Sequence, residues 1–167
     1  RLGDAEKRVA IARDALARLG DDNFTPACGS YVITPALPAR PEDQLADAIG
    51  DAPCRACALG GLFLAAVRRA DRLTVAEADY DGEIVHGSRV KRYLERFFSI
   101  DQLALAEAAF EGRLCTRPFD AEHWPSPFKE ACDRALFFYR RMACFGVRAR
   151  LAAILENIVE NQGTFCP

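Results

Sequence analysis

The sequence predicts an all-α protein, a single compact helical domain over residues 1–167 with about six main helices around a buried central helix. Three observations lead to this fold class. Apolar residues recur at helical spacing, glycines and prolines fall where those patterns end, and no two segments alternate in the manner of paired strands. A chain of this length usually forms one domain with its own core. Long loops are predicted at residues 21–40 and 113–125.

The central helix is predicted from about residue 54 to residue 70, because residues 56–67 form the longest run in the chain made only of apolar residues and glycine. Such a run is too short to cross a bilayer and too apolar for a surface helix, which indicates burial on most sides. Gly60 and Gly61 lie inside this helix, and each costs roughly 1 kcal/mol relative to alanine. We therefore expect another helix to approach closely at these glycines.

In the N-terminal part, apolar positions spaced by three and four residues predict a first helix at residues 5–19, capped by Asp4 and ended by Gly20. A short second helix is predicted at residues 41–49, with proline at its first position. Between the two helices the chain is predicted to be a loop, with at most a short extended piece at residues 31–33.

After the central helix, Thr74 is placed to cap a short turn, and residues 79–87 are predicted to form a loop. Ser88 begins the next helix. Ser99 restarts the helix, with Gln102 at the spacing of a capping box. The predicted inward positions of this region are Val90, Leu94, Phe97, Ile100, Leu103, Ala106 and Phe110.

Two helices are predicted near the C-terminus. Ser126-Pro127 marks the start of the first, Gly146 breaks or bends it, and residues 147–161 form the second, closed by Gly163. The predicted inward positions are Phe128, Ala131, Ala135, Phe138 or Tyr139, Met142, Leu151, Ile154, Leu155 and Ile158.

Composition and charge narrow the class of protein. The formal net charge is −2, which argues against a protein that coats nucleic acid by bulk charge, although only three of the 22 basic residues are lysine. The seven cysteines are an odd number and several lie in apolar helical patterns, unlike a secreted disulfide framework. No signal peptide or membrane-spanning run is apparent. These features predict a reduced, cytoplasmic protein without a membrane partner.

The Cys-x-x-Cys pair of Cys54 and Cys57 is the first candidate for chemistry. A cysteine in the first turn of a helix feels the positive helix end, which lowers its thiol pKa. Thioredoxin-like motifs follow a strand, however, and no strand is predicted here. A zinc site needs two further ligands, for which the loop residues Cys28, His86, Cys115 and His123 are the candidates. The favoured interpretation is structural: two small apolar side chains where a helix enters the core.

Residues 77–88 resemble a calcium loop, with acids at the first, third and fifth positions and glycine at the sixth. The first ligand position holds Glu77 rather than aspartate, and the twelfth holds Ser88 rather than the bidentate glutamate. An acidic surface turn is therefore favoured over a calcium site.

Arginines form three groups along the chain. The first is Arg68, Arg69 and Arg72, the second is Arg89, Lys91, Arg92 and Arg96, and the third is Arg140, Arg141, Arg148 and Arg150 around the Gly146 bend. We select Arg68, Arg69, Arg72, Arg92 and Arg96 as candidate ligand-binding residues. A solvated face is the default interpretation of each group. If two groups converge in space, a phosphate-bearing ligand or a nucleic acid is indicated, because arginine recognises phosphate bidentately.

The chain lacks the common catalytic motifs: it has no G-x-S-x-G, P-loop, G-x-G-x-x-G or H-E-x-x-H sequence. Glu156 and Glu160 lie one helical turn apart, but a di-metal site in a helix bundle would also need Glu-x-x-His partners. No catalytic residue is assigned. The sequence favours a non-enzymatic protein and leaves an enzyme open.

Three stretches, residues 54–64, 93–111 and 150–165, resemble a loosely defined family of small, mostly uncharacterised phage and bacterial proteins. The resemblance rests on Cys54-Arg-Ala-Cys57-Ala-Leu-Gly60 and on Asn161-Gln-Gly163 near the C-terminus. It implies a stand-alone accessory protein of a mobile element, for example an anti-defence factor that acts by binding.

The sequence thus predicts a binding protein without a cofactor, whose partner is a protein or a small charged ligand. One alternative is a zinc- or thiol-dependent protein centred on Cys54 and Cys57. The other is an arginine-mediated binder of nucleic acid or nucleotides. The oligomeric state is left open.

Overall fold

The computed structural model describes residues 3–35, 39–70, 73–84, 87–113 and 125–167. Helices account for 63% of the described residues, and a four-stranded mixed sheet accompanies them. In chain order the elements are α1 (Asp4–Leu19), β1 (Phe24–Pro26), β2 (Val32–Ile33), α2 (Leu45–Ile49), β3 (Cys54–Ala56), α3 (Ala58–Ala70), α4 (Val75–Ala78), β4 (Glu83–Ile84), α5 (Gly87–Leu94), α6 (Ile100–Glu111), α7 (Ser126–Met142), a 3₁₀ turn (Ala143–Phe145) and α8 (Gly146–Glu160).

The small sheet corrects the all-α prediction. Its strand order is β1-β3-β2-β4; β1 and β3 are parallel, whereas β2 is antiparallel to both β3 and β4. Val32 in β2 lies opposite Ala56 on one side and Ile84 on the other. Strands of two or three residues are too short to show alternation in the sequence, which is why only the extended piece at residues 31–33 was predicted. The predicted loop at residues 79–87 likewise contains β4.

The central helix is confirmed as buried, but it begins at Ala58 rather than near residue 54. Residues 58–67 are all buried. The backbone before them is held in the sheet: the Cys54 amide donates to the Asn23 carbonyl at 2.8 Å, and the Ala27 amide donates to the Ala56 carbonyl at 2.9 Å. These bonds extend the chain up to residue 56, so the helix starts only after β3.

Gly60 permits the closest approach to α3, and the approaching group is a strand-edge backbone rather than the helix that we expected. A Cβ at Gly60 would lie 1.6 Å from the Tyr31 carbonyl oxygen. A Cβ at Gly61 would meet only the Phe24 ring, at 3.5 Å. Gly60 is therefore required where the segment leading into β2 crosses α3, while Gly61 is not.

The predicted helix starts are partly correct. α1 is capped at Gly3 rather than Asp4, with the Gly3 amide donating to Glu6 at 2.8 Å. α2 starts at Leu45, not residue 41, since the Leu45 amide donates to the Leu73 carbonyl at 2.7 Å. The cap at Thr74 is confirmed.

At the start of α6, half of the predicted capping box is present. The Ser99 hydroxyl accepts a bond from the Gln102 amide at 3.2 Å. The Gln102 side chain, however, donates to the Phe165 carbonyl at 3.2 Å instead of returning to Ser99. It therefore ties α6 to the C-terminal segment.

The buried apolar side chains form one cluster that draws on every helix from α1 to α8 and on the C-terminal Phe165. Ile100 was predicted to face inward but is 43% exposed. Phe97, Ala131 and Met142 pack at the edge of the cluster, half-buried, and Cys132 takes the buried position in place of Ala131. The predicted inward positions that are buried are Val90, Leu94, Leu103, Ala106, Phe110, Phe128, Ala135, Phe138, Leu151, Ile154, Leu155 and Ile158.

Within the described ranges, none of the helices combines the length and the apolar character that crossing a membrane requires.

Candidate functional site

Cys54 and Cys57 are buried, Cys54 within β3 and Cys57 between β3 and α3. Burial raises the pKa of both thiols, that of Cys57 to about 12. The Gly60 amide also donates to the Cys57 sulfur at 3.5 Å. Our expectation of a lowered thiol pKa in a first helical turn is therefore wrong, because Cys54 is in a strand and desolvation outweighs the helix dipole at Cys57.

The described residues contain no group of three or more histidine, cysteine or carboxylate side chains placed to hold a metal ion. Of the proposed additional zinc ligands, His86, Cys115 and His123 lie outside the described residues. The fourth, Cys28, is exposed, and its sulfur accepts a bond from Arg150 at 3.4 Å. Zinc binding at Cys54 and Cys57 thus stays a hypothesis.

In the calcium-like segment, the first two acidic side chains, Glu77 and Asp79, contact other residues of the chain. The Glu77 carboxylate accepts bonds from the Thr74 amide at 2.8 Å and the Thr74 hydroxyl at 2.9 Å. Asp79 forms an ion pair with Arg89 at 3.4 Å. Within the described part of this segment, the interpretation as an acidic turn agrees with these contacts; Val85 and His86 lie outside it.

The candidate arginines occupy two different places. Arg68 donates to the Gly50 carbonyl at the end of α2, and Arg69 pairs with Asp14 of α1 at 2.9 Å. Arg92 and Arg96 instead line a cavity beside α5. Arg72 lies outside the described residues. The cavity that Arg92 and Arg96 share therefore does not include Arg68 or Arg69.

The cavity beside α5, called here the α5 cavity, has a volume of about 520 Å³. Three arginines line it, Arg89 and Arg92 from α5 and Arg96 from the turn that follows. Glu77 and Ser88 are the other polar residues of the lining. The remaining side chains are apolar or aromatic: Phe63, Leu73, Ala78, Ile84 and Tyr93. The cavity thus combines cationic side chains with an apolar floor.

The amphipathic pattern of α5 places these arginines together. Val90, Tyr93 and Leu94 are buried against the core. Arg89 and Arg92, three residues apart, project from the other side of the helix, and Arg96 follows at the next turn. Arg89 belongs to the same group of basic residues in the sequence, but our selection of Arg92 and Arg96 as binding residues omitted it.

The three arginines differ in how they are held. Arg89 donates to the Glu77 carbonyl at 3.0 Å and pairs with Asp79. The Arg96 guanidinium lies over the Tyr93 ring, 5.4 Å from its centroid. Arg92 is exposed and makes no hydrogen bond or ion pair with the part of the chain that the structure describes. Arg92 is therefore the cation best placed to receive a ligand.

A second polar group lies inside the fold and was not predicted. Glu107 is only 3% exposed, accepts a bond from the Tyr31 hydroxyl at 2.9 Å and lies 3.2 Å from the Lys91 ammonium. Gly87 makes room for this arrangement, since a Cβ there would lie 2.3 Å from the Tyr31 hydroxyl. The sequence signal that could have indicated this buried polar group was Glu107 itself, a single carboxylate within the apolar run of α6. These bonds join α5 and α6 to the segment before β2.

One turn further along α6, Glu111 accepts a bond from the Gly29 amide at 3.1 Å, and burial raises its pKa. Arg150 is buried, with its guanidinium 4.6 Å from the centroid of the Tyr139 ring. Together with Cys28 these residues hold the loop between β1 and β2 against α6 and α8. These contacts have a structural role, because they fix the loop to the two helices.

In comparisons with protein-family models, with curated proteins and with solved structures, the chain matched none.

Proposed function

We propose that this protein is a non-enzymatic binding protein whose α5 cavity takes a small anionic ligand, of which a phosphate-bearing compound is the best fit. One observation carries the proposal: Arg89, Arg92 and Arg96 line the same cavity. Planar guanidinium groups bind phosphate and carboxylate through paired, charge-assisted hydrogen bonds. A volume of about 520 Å³ lies within the range of small-molecule sites.

The charges around the cavity favour an anion. One acid, Glu77, lines the cavity with the three arginines, and its carboxylate accepts bonds from the Thr74 amide and hydroxyl. Because Arg89 is paired with Asp79, Arg92 carries the positive charge most available to a ligand. The apolar floor of Phe63 and Ile84 suits a ligand that also has a flat or apolar part. A small phosphorylated compound with a ring meets both conditions.

The test is a thermal-shift screen with phosphate, pyrophosphate and nucleoside mono- and diphosphates, followed by titration calorimetry of any hit. A ligand at about 100 times its Kd adds about 2.7 kcal/mol to stability. For a protein of this size that raises Tm by roughly 5–10 °C. Turnover of a ligand, lost on one side-chain change, would contradict a non-enzymatic protein.

Arg92→Gln is the informative variant, because Arg92 has no described partner whose loss would disturb the fold. Loss of one charge-assisted contact costs about 1.5–3 kcal/mol, so we expect binding to weaken roughly 10- to 100-fold. Arg55→Gln is the matched control, since Arg55 is exposed in β3 and does not line the α5 cavity. Equal binding by the two variants would refute the proposed site.

The role as an accessory or anti-defence factor of a mobile element stays a prediction from the resemblance. Zinc or thiol chemistry at Cys54 and Cys57 has weak support, because both side chains are buried with raised thiol pKa values.

A further inference from the structure

Two phenylalanines are exposed at the end of α7. Phe137 is 63% exposed and Phe145 is 65% exposed. Among the described residues the other exposed large apolar side chain is Ile100, at the start of α6. Exposed phenylalanines that lie near one another often mark an interaction surface.

Phe137 and Phe145 flank a basic surface. The 3₁₀ turn continues directly from α7, so the two rings are separated by roughly 12–14 Å along the axis. Arg141 lies between them, one helical turn after Phe137. The buried side chains of α7 are Phe128, Cys132, Ala135 and Phe138, which places Phe137 on the outer side of the helix.

The charge of this surface is mainly positive, although Asp133, one helical turn before Phe137, is exposed at its N-terminal end. Arg134, Arg140 and Arg141 are exposed, and none of them forms an ion pair within the described ranges. No acidic residue occurs between Asp133 and Glu156. We call Arg134, Phe137, Arg140, Arg141 and Phe145 the α7 face. Its aromatic and arginine content is typical of the centre of a protein–protein interface.

The same chain carries a cavity of opposite charge. This acidic cavity has a volume of about 540 Å³ and lies at α4 and β4. Its lining combines three carboxylates and one arginine, Arg89, with apolar and aromatic side chains; the members include Asp79, Asp81, Glu83, Val75, Tyr80 and Ile84. Asp81 and Glu83 are exposed, whereas Asp79 is paired with Arg89. The cavity has room for a phenyl ring and acids to face the arginines around that ring.

We propose that the α7 face of one molecule docks into the acidic cavity of a second copy, with Phe137 or Phe145 inserted and the arginines facing Asp81 and Glu83. We take each contact to join one α7 face to one acidic cavity, which leaves a free face and a free cavity at the ends, so that the assembly grows head-to-tail. Opposite charges orient the encounter and add a dependence on salt. The acidic cavity shares Ala78, Ile84 and Arg89 with the α5 cavity, but the proposal uses Asp81 and Glu83, which line the acidic cavity alone.

The test is sedimentation velocity from micromolar to millimolar protein at about 0.05 and 0.5 M salt. The wild-type average mass should rise with concentration without stopping at a dimer, and high salt should reduce it. Phe137→Ser/Phe145→Ser removes the donor surface, and Asp81→Lys/Glu83→Lys reverses the charge of the acceptor. Each variant alone should lose association at least tenfold.

Mixing the two variants provides the decisive result. The donor variant retains an intact cavity and the acceptor variant retains an intact α7 face, so together they should form a one-to-one dimer and nothing larger. Ile100→Ser and Glu156→Lys/Glu160→Lys are matched controls at exposed positions elsewhere and should behave as wild type. A monomeric wild-type protein, association unchanged in either variant, or a mixture without the dimer would each overturn the proposal. Circular dichroism verifies that every variant is folded.

Discussion

Gly60 and Gly61 are adjacent in α3, yet alanine should have opposite effects on stability at the two positions. At Gly60 the new Cβ would lie 1.6 Å from the Tyr31 carbonyl oxygen and 3.0 Å from the Ala56 Cβ. At Gly61 the nearest atom is Cζ of Phe24, at an ordinary contact distance of 3.5 Å. The pair therefore separates steric exclusion from helix propensity within one helix.

The cost at Gly60 follows from how firmly its neighbour is held. β2 is bonded on both sides, and the Cys57 amide donates to the Ser30 carbonyl at 2.7 Å, so the Tyr31 carbonyl cannot move alone. Overpacking of this kind costs about 1–3 kcal/mol, and loss of the neighbouring backbone bond adds about 1 kcal/mol. We expect Gly60→Ala to lower the free energy of unfolding by about 2–4 kcal/mol.

Gly61→Ala should instead raise the free energy of unfolding by about 0.5–1 kcal/mol, because alanine is the better helix former and its Cβ meets no obstacle. Urea unfolding followed by far-UV circular dichroism measures both effects, read as shifts in midpoint at constant slope. A gap of about 2.5–5 kcal/mol between the two variants is expected. Equal effects at the two positions would refute the close approach of Tyr31 to α3.

Two further predictions concern buried polar groups. Burial raises the pKa of Cys57 from 9.0 to about 12, so between these pH values the folded state keeps the thiol proton that the unfolded state loses. The free energy of unfolding should therefore fall between about pH 9 and pH 12. Cys57→Ala should make this fall less steep, which urea unfolding at a series of pH values would measure. Glu107→Gln should lower the free energy of unfolding by about 3 kcal/mol, because it leaves the Lys91 ammonium without its counter-charge. Adding Lys91→Met should recover part of this loss. Strictly additive effects of the two substitutions in urea unfolding would contradict the coupling of the two residues.

The helical part of the fold was largely readable from the sequence, because long periodic segments carry their own signal. The face of α8 with Leu151, Ile154, Leu155 and Ile158 is an example. The sheet was not readable, because its strands have two or three residues and are held by partners distant in sequence. Cys54–Ala56 continues directly into an apolar run, so local pattern assigned it to the helix, whereas pairing with β1 and β2 decided its conformation.

The candidate site was predicted in part. Arg92 and Arg96 were selected as binding residues, and both line the α5 cavity. Arg68 and Arg69 were grouped with them because they end α3, but their nearest polar groups lie on other elements, Gly50 and Asp14. Sequence spacing does not reveal which polar groups the fold brings to each guanidinium. The ion pair of Lys91 with Glu107 was missed for the same reason.

The proposed function is tested most directly by the side-chain Nε–Hε NMR signals of the arginines during a titration with pyrophosphate. The account expects saturable shifts in the signals of Arg89, Arg92 and Arg96, while those of Arg68 and Arg69 stay in place. Arg92→Gln should raise the pyrophosphate concentration that half-saturates the remaining two signals roughly 10- to 100-fold, and Arg55→Gln should leave the titration unchanged. Shifts centred on Arg68 and Arg69, or small shifts that grow linearly across all arginines, would contradict an anion site beside α5.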